Sequence, residues 1–257
     1  MYFLSVAALF RNEAHSIIEW VEHYLFHGAE HIYLINDDSD DNSCTLLEPY
    51  IEKGVVTLFN AKWDRYLGRQ RDMYNHYILP ELVNTQWLLL VDMDEYVWSP
   101  QNIDLTKLLG DCWNIGQIQV DNTVFGSSGY ENQPPSVVGS FTMRSAQLPT
   151  KEPGNRKYFV QSKFGFTSLN IHHATFVNKE DEDKNFLLLN DPYFRMNHYS
   201  CQSRQFWINN KCKRGDGDFW RVRQPDDFYA IDINEVKDDT LLKQNMPVFE
   251  KLGIKIK

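Results

Sequence analysis

Three carboxylates close the most apolar stretch of the chain. In LLLVDMDEYVW, Leu88 to Trp98, an apolar run ends at Val91 and is followed by Asp92, Asp94 and Glu95. An ionised carboxylate leaves water only at a cost that a partner must offset. Acids at this place therefore either mark where a strand leaves the core or hold something positive. Asp92 and Asp94 are two apart, and on an extended chain such residues point the same way. At a strand terminus both can reach one cation, directly or through water. Hard divalent ions such as Mn2+ and Mg2+ take oxygen ligands of this kind and often share them with phosphates. The spacing by itself is common, and its weight comes from its place at the end of a buried strand. Far along the chain, Lys211 and Arg214 in KCKRGDGD stand three apart, hence on one face of a helix. They read either as a solvated basic turn or as a local basic spot that meets a diphosphate in an otherwise acidic protein.

The elements that must position these residues follow from periodicity. YFLSVAALF reads as a buried strand, and NEAHSIIEWVEHYLFHG places Ile17, Ile18, Val21, Tyr24 and Leu25 at helical spacing, with Asn12 as N-cap and Gly28 as stop. HIYLIND is a second strand, and the polar turn DDSDDNS caps a helix over CTLLEPYIEKG. VVTLF is a third strand, RQRDMYNHYILPELV a third helix and TQWLLLVDMDEYV a fourth strand. Such alternation with near-continuous apolar strands predicts an α/β fold, a mostly parallel central sheet flanked by helices. In such sheets ligands sit beyond the carboxyl ends of the strands, where the acids lie. After residue 100 the pattern turns to a smaller mixed or antiparallel part. There SCQSRQFWINNKCKRG reads as a helix and DDTLLKQNMPVFEKLG as a closing one. No repeat or Gly/Ser-rich linker divides the 257 residues, so a single domain is expected.

Composition excludes several classes. A net charge of −9 argues against general nucleic-acid binding. The four cysteines, Cys44, Cys112, Cys201 and Cys212, lack CxxC spacing, which disfavours zinc and a disulfide framework and suits a reducing compartment. MYFLSVAALFRNEA lacks the basic start of a signal peptide, and no apolar run approaches the roughly 20 residues of a membrane span. The expectation is a soluble, cytoplasmic protein, with a bacterial or viral origin fitting.

ALFRNEAHSIIEWVEHYLFHGAEHIYLINDDSDDNS resembles the opening of GT-A glycosyltransferases, particularly family 92 and related family-2-like enzymes. The resemblance continues in order through WLLLVDMDEYV, VFGSSG, IHHATF and NHYSCQSRQFWINNKCKRG, covering about residues 5 to 216. One departure is Asn122 in DNTVFGSSG, where family members often carry Trp. The resemblance implies a GT-A (Rossmann-like) fold, with residues 1–100 binding a nucleotide sugar and 101–257 the acceptor. It implies metal-dependent, inverting transfer of a hexose such as galactose, or a pentose such as xylose, from a UDP-linked donor to an oligosaccharide or glycoprotein glycan. Asp94 would ligate Mn2+ or Mg2+, and Asp92 would meet the metal through water or the ribose. Glu95 would orient them, and His198, with His173 as its rival, would complete the metal set. Lys211 and Arg214 would meet the diphosphate. Arg11, Asn12 and Glu13, with Asp37 or Asp38, would contact the base and ribose, and Gln70, Arg71 and Asn75 the donor side. The glycines of FGSSG would let backbone approach a sugar. Glu131 and Asp191 are the candidate bases that inversion requires. A nucleotidyltransferase, or a catalytically silent glycan-binding relative, are the competing readings.

Overall fold

A computed structural model describes residues 1–146, 156–219 and 223–256 of the chain. The first half alternates as its periodicity predicts: β1 (Tyr2–Phe10), α1 (Ile17–Phe26), β2 (His31–Asp37), α2 (Ser43–Glu52), β3 (Val56–Ala61), α3 (Arg69–Met73) and β4 (Thr85–Leu90). α3 runs on as a π turn, Tyr74–Ile78, and a 3-10 stretch, Leu79–Asn84. There follow β5 (Glu95–Trp98), α4 (Leu105–Gly110), β6 (Gln117–Val120), β7 (Asn122–Val124), β8 (Met143–Arg144) and β9 (Lys157–Gln161). β10 (Phe166–Leu169), β11 (Ala174–Phe176), β12 (Asn185–Leu188) and β13 (Arg195–His198) come next. A helical run over Arg204–Phe206, Trp207–Lys211 and Cys212–Arg214 precedes the closing helices Thr240–Gln244 and Met246–Leu252.

The main sheet has seven strands in the order β12-β6-β9-β4-β1-β2-β3. β1 pairs in parallel with β2 and β4, and β2 with β3; β9 runs antiparallel between β4 and β6. Strands from beyond residue 100 thus complete the sheet begun by the first hundred residues, so the two halves share one scaffold. The central strands β1, β2 and β4 are almost wholly buried and mostly apolar because both faces of the sheet are covered there. Ile17, Trp20, Val21 and Tyr24 of α1 pack on one face with Leu89 and Phe159, while Met73, Tyr74 and Ile78 pack on the other with Leu88 and Val160. Among the described residues no helix is long and apolar enough to cross a membrane, and all four cysteines are free.

Three expectations need correction. The apolar run does not carry one strand to Val97. β4 ends at Leu90, the chain turns over Val91–Asp94, and β5 belongs to a separate sheet, β5-β13-β7. The turn is closed by Glu95 N donating to Asp92 O at 3.1 Å and Asp92 N to the Glu95 carboxylate at 2.8 Å. The acids bend the strand rather than extend it. Asn12 is not the N-cap of α1. It has a left-handed φ of 55°, and the helix starts at Ile17 behind Ser16. The closing helix is two helices, broken at Asn245.

Asn245 has a reason to interrupt. Its side chain bonds His27 Nε2 at 2.9 Å and His23 Nδ1 at 3.0 Å, fixing the C-terminal helices to α1. Burial pushes both imidazoles down from their usual value, so they are held neutral. Glu19 of α1 makes a similar tie: its buried carboxylate accepts from Ser136 Oγ (2.9 Å), Val137 N (2.7 Å) and Val138 N (2.8 Å). Burial lifts this carboxyl to about 7 against those donors. Glu19→Ala leaves three buried donors unpaired at about 1–3 kcal/mol each. A loss of at least about 3 kcal/mol in urea unfolding is expected, and a loss within 0.5 kcal/mol, the ordinary size of a surface change, would refute the tie.

Candidate active site

The carboxyl ends of β1, β2 and β4 open into a cleft of about 600 Å3. β1 has β2 and β4 on its two sides, so the connections diverge here, and the crevice lies where open α/β sheets place ligands. Arg11, Glu13, Asp37, Gln70, Asp92 and Asp94 line it from the first half. His198, Lys211, Arg214 and Asp227 line it from the second.

Two helical aromatics hold the acidic turn from behind. Trp20 Nε1 donates to the carbonyls of Asp92 and Glu95, both at 3.2 Å, and Tyr24 donates to Glu95 O at 3.0 Å while accepting from Val97 N at 3.1 Å. The turn is not extended, so strand alternation does not aim Asp92 and Asp94. Their partners do. Asp92 Oδ2 accepts from Lys157 Nζ at 2.7 Å, and its Oδ1 from Gln70 Nε2 at 3.3 Å. Lys157 also stands 3.7 Å from Glu95. Asp94 Oδ2 accepts from Lys211 Nζ at 2.6 Å, and its Oδ1 faces His198 Nε2 at 3.6 Å.

The acids titrate apart because their surroundings differ. Burial alone would raise Asp94, but Lys211 and His198 hold it well below its ordinary value. Burial dominates at Glu95, which rises to about 7 in spite of Lys157. His198 is pulled up by Asp94 although burial would lower it. Its Nδ1 is 3.0 Å from Asn122 Nδ2. Asn122 therefore orients this imidazole.

Arg214 pairs with Glu13 and donates to Arg11 O at 2.8 Å, so Lys211 and Arg214 both reach the cleft with a carboxylate partner. The segment that carries Glu13 is braced by the acidic turn after β2. Asn12 N donates to Ser39 Oγ, Glu13 N to Ser43 Oγ and Ala14 N to Asp41. Asp37 is held by both terminal nitrogens of Arg69 and lies 3.5 Å from Arg65. Its carboxylate serves to fix those guanidiniums.

Other expected residues lie elsewhere. Asn12 binds Asp40, Asp38 pairs with the exposed Lys62, and Arg71 pairs with its neighbour Asp72. Asn75 bonds the backbone of Leu169 in both directions and serves the packing of β10. His173 is exposed and Glu131 is exposed; neither lines the cleft. Asp191 caps the turn at Tyr193 and Phe194 and lines a different cavity. Gly126 of FGSSG is packed on Ile233 O and Asn234, where a Cβ would come within 2.5 Å of either, so its small size serves a backbone crossing.

Sequence reasoning missed Arg65, Arg69, Asp227 and Lys157. Lys157 had a legible signal, since a lysine opening the apolar strand KYFVQ is rarely buried without a partner. Arg65 and Asp227 come from stretches with no periodic pattern, and Arg69 opens the third helix, whose pattern does not say which of its charged residues turns inward.

An open α/β sheet with a charged ligand crevice at its switch point is the class of protein that fold and site define. The chain belongs to glycosyltransferase family 92, whose model matches residues 2–219. A family 92 protein of rice (Oryza sativa subsp. japonica) is 24% identical over 210 residues, 77% of this chain and 33% of that one. One of Ricinus communis is 21% identical over 196 residues, 73% of this chain and 34% of that one. The chain spans about a third of the length of these curated relatives. Among solved structures, S. aureus TarS 1–349 in complex with UDP is 15% identical with a TM-score of 0.42, over 76% of this chain and 60% of that one. A Pyrobaculum calidifontis mannosyltransferase in complex with GDP-Man and Mn2+ is 14% identical with a TM-score of 0.35, over 47% of this chain and 36% of that one.

Lys157→Met removes the cation from the buried Glu95 and the part-exposed Asp92, which costs about 3–5 kcal/mol where Glu95 is ionised. Glu95 keeps its proton more tightly in the folded state than in the unfolded chain, so the associated stability is present at low pH and lost as pH rises through about 7. Urea unfolding without added metal should show a larger loss at pH 8 than at pH 5. Equal losses would mean that Lys157 does not neutralise Glu95.

Proposed function

We propose that the chain transfers a sugar from a nucleotide diphosphate sugar, UDP-linked, to a hydroxyl of a glycan, with inversion and with a divalent ion. The observation that carries this reading is the meeting of Asp94, His198, Lys211 and Arg214 on one cleft beyond the carboxyl edge of the sheet.

The donor set suits a hard ion shared with a substrate. Among the described residues no three His, Cys, Asp or Glu side chains converge as a metal cage. Asp94 Oδ1 and His198 Nε2, however, face each other at 3.6 Å, near the roughly 3 Å between adjacent ligands of an octahedral ion with bonds of about 2.1 Å. Asp94 and His198 would hold the ion together with the donor's own phosphates. Bound there, Mn2+ or Mg2+ would act as a Lewis acid on the diphosphate.

The protein's own groups have distinct tasks. Lys211 gives one N–H to Asp94 and keeps two more for phosphate oxygens, since an ammonium has three donors. Arg214, anchored on Glu13, presents a fixed guanidinium to the same anion. Arg11 and Arg65, set about Asp37, offer donors suited to the carbonyls of uracil. Asp92, gripped by Lys157 and Gln70, is a fixed acceptor for a sugar or ribose hydroxyl. Glu131 and Asp191 stand outside the cleft lining, so the base role passes to Asp227, a lining carboxylate without an ion pair among the described residues. There it would take the acceptor's proton as the new bond forms.

A panel of nucleotide sugars assayed for Mn2+-dependent hydrolysis tests the reading directly. One donor should be hydrolysed, and Asp94→Asn should lower that rate at least about a hundredfold. Lys211→Met should weaken UDP binding in calorimetry about tenfold or more, the worth of one charged hydrogen bond. Asp227→Asn should retain UDP affinity and lose transfer. UDP binding that ignores metal, or full activity in folded Asp94→Asn, would overturn the assignment.

A further inference from the structure

A second cavity, of about 210 Å3, is lined by Asp121, Arg144, Asn190, Asp191, Phe194 and Arg195, with Thr123 and Leu188. It lies on the reverse side of the small sheet that carries His198. Side chains alternate along β13, so Arg195 faces this cavity and His198 the donor cleft; Asp121 and Thr123 likewise flank Asn122, which touches His198. The two spaces are therefore separate.

Its chemistry defines a ligand. Arg144 Nε and Arg195 Nη2 both donate to Asp238 Oδ2, at 2.9 and 2.6 Å, so two guanidiniums share one carboxylate and leave one positive charge. Arg156, which acts electrostatically on Asp121, adds another, and Asp121 and Asp191 supply two negative ones. Among the described residues these fixed charges cancel. Asp121 is only 9% exposed, and one of its oxygens accepts from Asn122 N at 2.8 Å. Its other oxygen makes no hydrogen bond among the described residues, an unspent acceptor on the cavity wall. Asp191 is in the same state: Oδ1 takes the amides of Tyr193 and Phe194 at 2.7 and 2.9 Å, and Oδ2 takes none among the described residues. Asn190 and the guanidiniums supply donors, and Arg195 Cζ stands over the Trp98 ring, 5.5 Å from its centroid. Phe194 and Leu188 add an apolar wall.

A charged ligand would upset this balance among the described residues, and an apolar one would strand the two carboxylate oxygens. A neutral polyol with one hydrophobic face satisfies every wall. The volume is below the roughly 300–1,000 Å3 of pockets for drug-sized ligands, so a single ring fits. We infer that this cavity binds one neutral pyranose unit, apart from the donor cleft and independently of the reaction proposed there.

Saturation-transfer NMR on the full chain tests this, with UDP added to fill the donor cleft. The probes are the methyl pyranosides of glucose, galactose, mannose, N-acetylglucosamine and fucose, with methyl glucuronide as the charged control. At least one neutral glycoside should receive saturation that UDP does not remove. Its binding should weaken about fivefold, the worth of one hydrogen bond, in Asp121→Asn and in Asn190→Gly. The glycine keeps the positive φ of 48° at that position without strain, so Asn190→Gly decides the matter alone if Asp121→Asn does not fold. Saturation of no neutral glycoside, preference for the glucuronide, or unchanged binding in the folded variants would overturn the inference.

Discussion

Glu95, Asp94 and Glu13 are almost wholly withdrawn from water, at 2%, 8% and 3% exposure, beside a sheet of apolar strands. No ionised carboxylate persists there alone. The cations that answer them are Lys157, Lys211 and Arg214, brought from a strand and a helical run far along the chain. The acidic turn is thus a closed charge only when residues beyond 150 are folded against the first hundred. This coupling explains why the main sheet recruits β9 beside β4. It is the strand that delivers Lys157 to Asp92, behind the wall of the cleft. It also keeps an acidic protein from presenting a bare acidic cleft to an anionic ligand.

Charge pairing sets which groups meet, and backbone bonds set where. Trp20 and Tyr24 fall one turn apart on α1 and each spends its polar atom on the acidic turn or β5. Their rings fill the core while their N–H and O–H fix the carbonyls of Asp92 and Glu95. On the other side Tyr199 N donates to Asp94 O at 2.8 Å. Rigid support of this sort is what a site needs if its side chains are to wait in place for a ligand.

The alternating strands and helices of the first hundred residues were legible because buried parallel strands leave unbroken apolar runs and amphipathic helices a periodic stripe. The break after Leu90 was not, since Val91 and Met93 are as apolar as their neighbours and the turn is made by side-chain bonds of Glu95. The acids of DMDE and the basic pair of KCKRG were visible as residue types out of keeping with their surroundings, and the NHY histidine through the family resemblance alone. Their mates were harder to see. Arg69 and Arg71 are two apart on a short helix, and only the fold decides that the first turns inward to Asp37 while the second binds its own neighbour. Glu131 and Asp191 drew notice as acids near motifs, but nearness along the chain says little in a region of short strands and turns.

Lys211 shows how local irregularity completes the site. The run from Arg204 starts and ends as α-helix but passes through a π turn over Trp207–Lys211. A π turn inserts extra residue width into a helix and often marks a functional position. Trp207 and Lys211, at its two ends, both line the cleft, and so does Arg214 three residues on. A second π turn follows α3, and its Tyr74 hydroxyl accepts from Gln70 Nε2 at 2.7 Å, the amide that also reaches Asp92. Asp94 thus takes a partner from the π turn itself, and Asp92 takes one, Gln70, that the next π turn steadies through Tyr74. Regular helices pack the sheet, and irregular ones aim at what the sheet's edge holds.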